Sequence, residues 1–449
     1  MRQIRIAKGL DIPISGRPAE ELTQGPPVRQ VALLGDDYPG MKPTMLVEVG
    51  DHVRCGQPLF SDKKNDGVQF TAPGSGEVVA IHRGAKRRFE SLIIELSDKE
   101  GLSFCNPDSP PDTFSPEELR RLLIDSGLWC ALRTRPYGKI PAIDSTPVSL
   151  FVTAIDTAPL APAMEVVLSG RQDDFLAGLA ALQRLLDRPI YLCLPADWRV
   201  FAIDLPGVET IGFAGPHPAG LPSTHIHFLD PVNEHRTVWQ IGGQDVAAIG
   251  ALLRTGQPAV DRIVSLAGPS VKKPRHLATR LGAAIGELCA GEIADGDATR
   301  LLSGSVLDGR RADERVAFLG RYHQQISCLP EGTGRSFFGW LRPGGDRFSV
   351  TRAFWSAFRK PGSLPLDTAV WGGHRAIFPL GTYEKVMPLD MIPTYLLKSI
   401  ASGNTEKAKQ LGCLELIEED LALCSYVCPG KNDFGPMLRE TLTSIEIEG

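Results

Sequence analysis

Hydrophobic periodicity first turns helical near Ser115, and that change limits the folds open to this chain. Before it, apolar and polar side chains alternate between glycine-rich breaks. "VEVGDHVRCGQPLF" (Val47–Phe60) breaks at Gly50-Asp51 and Gly56, and "FTAPGSGEVVAIHRG" (Phe70–Gly84) repeats the pattern around Pro73, Gly74 and Gly76. Such alternation describes half-buried antiparallel strands joined by tight turns. At "SPEELRRLLIDSG" (Ser115–Gly127) the spacing becomes helical. Ser115 is placed to cap, Pro116 opens the first turn, Glu118 completes a capping box and Gly127 ends the helix.

Beyond this point strands and helices alternate. "PVSLFVTAID" (Pro147–Asp156) reads as a buried strand, "QDDFLAGLAALQRLLDRP" (Gln172–Pro189) as an amphipathic helix and "IYLCLP" (Ile190–Pro195) as a second strand. Strand, helix and strand at this spacing imply a parallel sheet. A helix over "GQDVAAIGALLRTG" (Gly243–Gly256) precedes two strand-like pieces, "DRIVSLAG" and "RHLATRLG", and a helical tail begins near Pro379. The expected division is 1–105, strands and turns; 106–256, a parallel α/β unit; 257–373, a small α+β unit; and 374–449, helices.

The length of 449 residues alone suggests roughly three domains. Net charge is −5, which argues against nucleic acid as a partner. The nine cysteines are scattered and odd in number, no secretory leader pattern opens the chain, and a reducing compartment is expected. No stretch reaches the about 18 apolar residues of a membrane span, so any membrane association is expected to be peripheral.

Several long stretches resemble a single family in the same order along the chain. They are "KGLDIPISGRP" (Lys8–Pro18), "FTAPGSGEVVAIHRGAKR" (Phe70–Arg87), "GPHPAGLPSTHIHFLDPV" (Gly215–Val232) and "HRAIFPLGTYEKVMPLDMIPTYLLKSI" (His374–Ile400). The family is the A subunit of the bacterial Na⁺-translocating NADH:quinone reductase. It is similar, more distantly, to the C subunit of Rnf-type complexes and to the NADH-oxidising subunit of respiratory complex I. The resemblance implies a multidomain α/β fold: a lipoyl/biotinyl-like hybrid barrel, a Rossmann-like domain, a β-grasp-like domain and a C-terminal helical domain. It implies a peripheral subunit on the cytoplasmic side of the inner membrane, partnered by other subunits including a membrane-embedded one. The complex oxidises NADH, reduces ubiquinone and exports sodium, with flavins and an iron–sulfur centre expected in other subunits.

Against these cousins, two cofactor motifs are degraded. Their flavin loop, Gly-x-Gly-Gly-Ala-x-Phe-Pro-Thr, uses bare backbone to approach a phosphate. The corresponding "LWCALRTRPYGKIP" (Leu128–Pro141) keeps Gly138 but fills the rest with Trp129, Leu132, Arg133 and Tyr137, and the following strand reads "TAIDTAP" (Thr153–Pro159). Arg133, Arg135 and Lys139 holding some phosphate by charge alone is the alternative. The tail stretch "EEDLALCSYVCPGK" (Glu418–Lys431) ends like an iron–sulfur run, Cys-x-x-Cys-x-x-Cys-x-x-x-Cys-Pro. Only Cys424 and Cys428 stand in place, with Glu418 and Leu421 where the other ligands belong and Cys413 out of register. The expectation is a relic helix with two buried thiols, and no cofactor bound by this chain.

Three weaker features remain. His225 and His227 fall on one face if "STHIHFLD" (Ser223–Asp230) is a strand, with His217 and Asp230 nearby; polar packing at a domain edge is favoured over a metal. Lys63, in "LFSDKKNDG" (Leu59–Gly67), sits where lipoyl carriers present their modified lysine, but no flexible linker follows the barrel. Gly332–Lys360 carries seven aromatics and six cations against Asp346, which fits a docking face for a membrane subunit or anionic headgroups, or aromatics packed inside. The leading expectation is a cofactor-free subunit that takes part in ubiquinone binding, with Trp129, Arg133, Arg135, Tyr137 and Lys139 lining the vacated pocket and Gly215, Pro218 and Gly220 forming its wall. The alternatives are a scaffold subunit, an electron carrier with its own flavin or cluster, and a lipoyl carrier at Lys63.

Overall fold

Ser115 caps the first long helix as its sequence requires. Its Oγ accepts from the Glu118 N–H at 3.2 Å while the Glu118 carboxylate accepts from the Ser115 N–H at 2.7 Å, and the helix runs Pro116–Asp125. It leads into a six-stranded sheet in the computed structural model, which describes residues 1–97, 99–294, 298–333, 343–345, 347–359 and 362–448. The strand order is Arg2–Arg5, Val208–Ala214, Ile190–Pro195, Leu150–Thr153, Val238–Gly242, Arg133–Arg135. Neighbours are parallel except at the last pair.

Both sheet faces are covered, as a parallel sheet demands. Leu150, Val152, Leu192 and Ile241 pack under the Gln172–Leu186 and Gly243–Thr255 helices. Those helices touch closely: a Cβ on Gly250 would stand 1.8 Å from the Asp174 carbonyl oxygen. Phe151, Ile211 and Phe213 face the other way, onto the Pro222–Leu229 helix. From Leu150–Thr153 the chain builds outward through Ile190–Pro195 and Val208–Ala214, then returns to the opposite side for Val238–Gly242. This reversal opens a crevice at the carboxyl ends of Leu150–Thr153 and Val238–Gly242, where open α/β sheets place ligands.

Two small antiparallel sheets make the unit that follows the amino-terminal arm. One joins Gln30–Leu34, Phe89–Leu96, Gly76–Arg83 and His52–Val53; the other joins Pro43–Met45, Pro58–Asp62 and Gln69–Thr71. The third unit is a mixed sheet in the order Arg310–Arg311, Thr299–Ser303, Gln325–Pro330, Asp261–Ala267, Arg275–Arg280, Ala19–Gln24. The tail is helical, with Pro393–Ala401, Thr405–Gln410, Glu418–Val427 and Phe434–Glu448 around a core that includes Leu397, Leu421, Phe434 and Leu438.

Residues 1–24 do not stay with the amino-terminal unit in which their order in the sequence put them. Arg2–Arg5 extends the parallel sheet and Ala19–Gln24 extends the third. Between them Ile12 and Ile14 enter the core of the tail. An edge strand presents unpaired backbone N–H and C=O groups, and here the chain's own arm covers two such edges.

Candidate functional site

At the sheet reversal the crevice deepens into two adjoining cavities of about 120 and 80 Å³. Asp156, Leu221, Tyr322, His323, Gln324 and Glu419 line both, so three units meet there: the parallel sheet, the third sheet and the tail. The inner cavity adds Arg133, Thr153, Gly220, Gln240, Arg262 and Arg321. The outer one adds His217, Ser305 and Asp308.

Charge is divided across this cleft. At the inner end Asp245 accepts from Arg262 at 2.5 Å and from Arg321 at 2.9 Å, and the Arg133 guanidinium stacks 4.5 Å over the Tyr322 ring. Three cations thus face one paired carboxylate. Toward the outer end the acids gather. Burial pushes Asp156 up to about 6, although its carboxylate accepts from the Ala158 N–H at 2.8 Å. Asp308 is exposed at the edge of the cleft among other acids; what desolvation it meets there, and the charges of Glu419 and Asp156, raise it from the ordinary value. His217 and His323 are both held near 4 by burial and so are neutral at pH 7. Two acceptors of the inner cavity, Gln240 Oε1 and Thr153 Oγ1, have no hydrogen-bond partner, and Gln240 is only 3% exposed. Buried polar atoms left this way are uncommon.

The structure divides the residues expected to line a pocket. Arg133 and Gly220 do line the inner cavity. Trp129 does not: fully buried, it donates from Nε1 to the Pro141 carbonyl at 2.9 Å and meets Trp239 edge-on at 5.5 Å. Arg135 does not line it: with no exposed surface, it lies behind the cleft wall against Ser223, Glu419 at 3.2 Å and Asp420 at 3.6 Å. It anchors the tail to the parallel sheet. Tyr137, at a φ of 78°, offers its carbonyl to Arg439, and Lys139 is paired with Glu446. Gly215 lies against the backbone of Ile6, and the Pro218 carbonyl accepts from Thr224 Oγ1 at 2.9 Å.

In the Glu418–Val427 helix the positions of the iron–sulfur run make ordinary contacts. Glu418, in a vacated ligand position, grips Arg439 with both carboxylate oxygens, and Leu421 is fully buried. Cys428 Sγ accepts from Tyr383 Oη at 3.1 Å and from the Asn432 side chain at 3.4 Å. Burial raises the Cys428 thiol, but these donors outweigh it and lower its pKa from the usual value.

"STHIHFLD" is a helix and not a strand: Pro222 sits in its first turn, a helix-start signal that its alternation masked. His225 is buried against Phe213 and held near 3 by burial, while His227 pairs with Glu415 at 2.7 Å and accepts from the Asp390 N–H. The two imidazoles therefore serve different neighbours, and among the described residues no group of three or more His, Cys, Asp or Glu could hold a metal. Lys63 is exposed, between Pro58–Asp62 and Gln69–Thr71. Phe337, Phe338 and Trp340 lie outside the described residues, whereas Trp355 and Phe358 are exposed. Among the described residues no helix is long and apolar enough to cross a membrane.

Sequence reasoning missed Asp156, Gln240, Asp308, Tyr322 and Glu419 as members of one site. For Asp156 a signal existed, since it follows the carboxyl end of Leu150–Thr153 beside an order reversal; Gln240, in the middle of Val238–Gly242, had only its polarity in an apolar strand. The others come from distant units and carried none.

Comparison with known proteins agrees with this architecture. Three family models match: "NqrA N-terminal barrel-sandwich hybrid domain" over residues 4–97, "NqrA second alpha/beta domain" over 114–258 and "NQRA C-terminal domain" over 263–314. A protein of Rhodopirellula baltica, named as the A subunit of the Na(+)-translocating NADH-quinone reductase, is 53% identical over 99% of this chain and 98% of its own. Proteins of the same name from Neisseria gonorrhoeae and Actinobacillus pleuropneumoniae are 50% and 51% identical, each over 99% of this chain and 100% of their own. Among solved structures, an NAD+-reducing [NiFe]-hydrogenase in its air-oxidized state aligns over 49% of this chain and 48% of that chain at 14% identity and a TM-score of 0.35, too low to argue from. The chain belongs to the family of the A subunit of the Na⁺-translocating NADH-quinone reductase.

Proposed function

We propose that this chain is the quinone-interacting, cofactor-free subunit of its reductase and that a ubiquinone head enters the cleft at the sheet reversal. The observation that carries this reading is the inner cavity, where Arg133 of the antiparallel edge strand stands opposite Gln240 of Val238–Gly242, whose buried Oε1 has no donor. A quinone offers two carbonyl acceptors on a flat ring. Guanidinium N–H groups are suitable donors to them, Gln240 Oε1 is an acceptor for the O–H of the reduced ring, and Tyr322 beneath Arg133 gives an aromatic wall. Trp129 and Leu421, buried where the cousins keep bare backbone and a thiolate, support the absence of a flavin and a cluster from this chain.

In this reading the first unit is a lipoyl-like hybrid barrel used as an unmodified structural module, the second is Rossmann-like and the third β-grasp-like. NADH, flavin and iron–sulfur chemistry belong to other subunits. Exposed Trp355 and Phe358 suit a peripheral subunit seated on a membrane-embedded partner. The test is an equilibrium titration of the purified chain with a short-tailed ubiquinone. Arg133→Ala and Gln240→Leu each weaken binding about ten-fold, equivalent to about 1.4 kcal/mol, while Trp129→Phe changes it less than about two-fold. Binding that is absent, or indifferent to both cleft substitutions, overturns the assignment. A tightly held chromophore in the visible spectrum overturns the cofactor-free part.

A further inference from the structure

The two cavities are joined by carboxyl groups. Asp156 and Glu419 line both, Asp308 lines the outer one within electrostatic reach of each, and only Asp308 of the three is broadly open to water. The inner end, by contrast, holds Arg133 and the buried Gln240, whose Oε1 has no donor. From this geometry we infer that Asp156 and Asp308 form a proton path from solvent to a quinone bound in the inner cavity. The inference rests on the quinone reading above and adds to it the source of a proton.

The chemistry balances as follows. Converting a quinone to a quinol takes two electrons, which NADH supplies through the rest of the reductase, and two protons, one for each ring oxygen. Along this path the O–H bond of the Asp156 carboxyl breaks as an O–H bond forms on the reduced quinone oxygen nearest it. Asp156, left as a carboxylate, takes a proton from Asp308, which is reloaded from water. The second ring oxygen takes its proton from solvent. Carboxyls raised toward neutrality are suited to this exchange, since transfer works best when the donor's pKa lies near the working pH.

The groups facing Asp156 from each side fit this use. Glu419, from the tail helix, has one oxygen engaged by Arg135 at 3.2 Å, and its charge helps to raise both Asp156 and Asp308. His217 and His323, neutral at pH 7, add no charge from the Gly215–Gly220 loop or the third sheet. Arg133 and the Asp245 group lie at the inner end, where negative charge grows on the quinone.

The test uses the assembled reductase carrying variants of this chain, measuring sodium-dependent quinone reduction across pH 6 to 9, alongside quinone titration of the same purified chains. Asp156→Asn is expected to lower turnover about ten-fold or more at pH 8 with quinone affinity kept within about two-fold. Asp156→Glu restores part of it, millimolar formate restores part of it in Asp156→Asn, and Asp308→Asn moves the alkaline fall in rate to lower pH. If the Asn variants bind quinone and match the unaltered enzyme in rate and pH profile, the proton path is wrong and the binding site stands. A loss that neither Glu nor formate repairs, and that is equal at every pH, marks Asp156 as structural and also overturns the path. Failure of the unaltered chain to bind quinone removes both readings together.

Discussion

Asp156 is held where a carboxylate is costly, and the cost has a sign that can be tested. Burial lifts its folded pKa to about 6, above the roughly 3.9 of an unfolded aspartate. Between those values the folded chain binds more protons than the unfolded one, so this group's contribution to stability falls as pH rises from about 4 to 6 and stays low above that. Asn in its place keeps an oxygen for the Ala158 N–H and removes the charge. Asp156→Asn is therefore expected to raise unfolding free energy by about 1–2 kcal/mol at pH 8, after discounting for partial exposure, with the gain vanishing near pH 4. Urea unfolding at the two pH values checks it; an equal change at both would show that desolvated charge is not the cause. A stabilising change that removes activity is the mark of a functional residue. Single residues were also where sequence reading was weakest. Arg133, Arg135 and Lys139 look alike in "RTRPYGK", and the strand puts the first two on one face, yet one lines the cleft, one pairs with Asp420 and one, beyond the turn, with Glu446.

Elements with several agreeing local signals were legible. The Pro116–Asp125 helix had a cap, a proline and a terminal glycine, all of which appear as read. "STHIHFLD" had only alternation, and one proline outweighed it. The Glu418–Val427 helix is informative in another way: the sequence shows two of four cysteines of a cluster run, but not what the other positions touch. Glu418 now binds Arg439, which in turn holds the Tyr137 carbonyl. A continuous helix also spreads positions 418, 421 and 424 over about 9 Å of rise, and Cys428 is already engaged by Tyr383. Restoring the motif should consequently fail: Glu418→Cys with Leu421→Cys, reconstituted with iron and sulfide under reducing conditions, is expected to show no cluster absorption near 400 nm (order of magnitude for thiolate-bound iron). Loss of the buried leucine side chain should lower stability by about 2 kcal/mol or more. A stoichiometric brown cluster would mean that only the two missing sulfurs stand between this helix and its cousins.

At the scale of the whole molecule, the cleft exists because three units are held in register, and the first 24 residues are one of the devices that hold them. Domain boundaries read from composition could not anticipate this, since the arm's short strands have no periodic signal of their own and gain partners only once two other sheets have formed. The arm passes Gly16 directly against Gly268. Gly16 has a φ of 81°, its carbonyl accepts from the Gly268 N–H at 2.9 Å, and an added Cβ would stand 2.2 Å from the Gly268 carbonyl oxygen. Gly50 offers the control, with a φ of 97° and open space around its missing Cβ. Both substitutions by alanine incur the left-handed backbone cost of about 1–2 kcal/mol, but only Gly16→Ala must also push two backbones apart. Gly16→Ala is expected to cost at least about 2 kcal/mol more than Gly50→Ala in urea unfolding, and to expose the arm's buried Ile12 and Ile14 to early proteolysis because the crossing they flank is opened. Equal losses from the two substitutions, with the arm still resistant to protease, would show that the close crossing does not join the units and that the cleft keeps its shape without it.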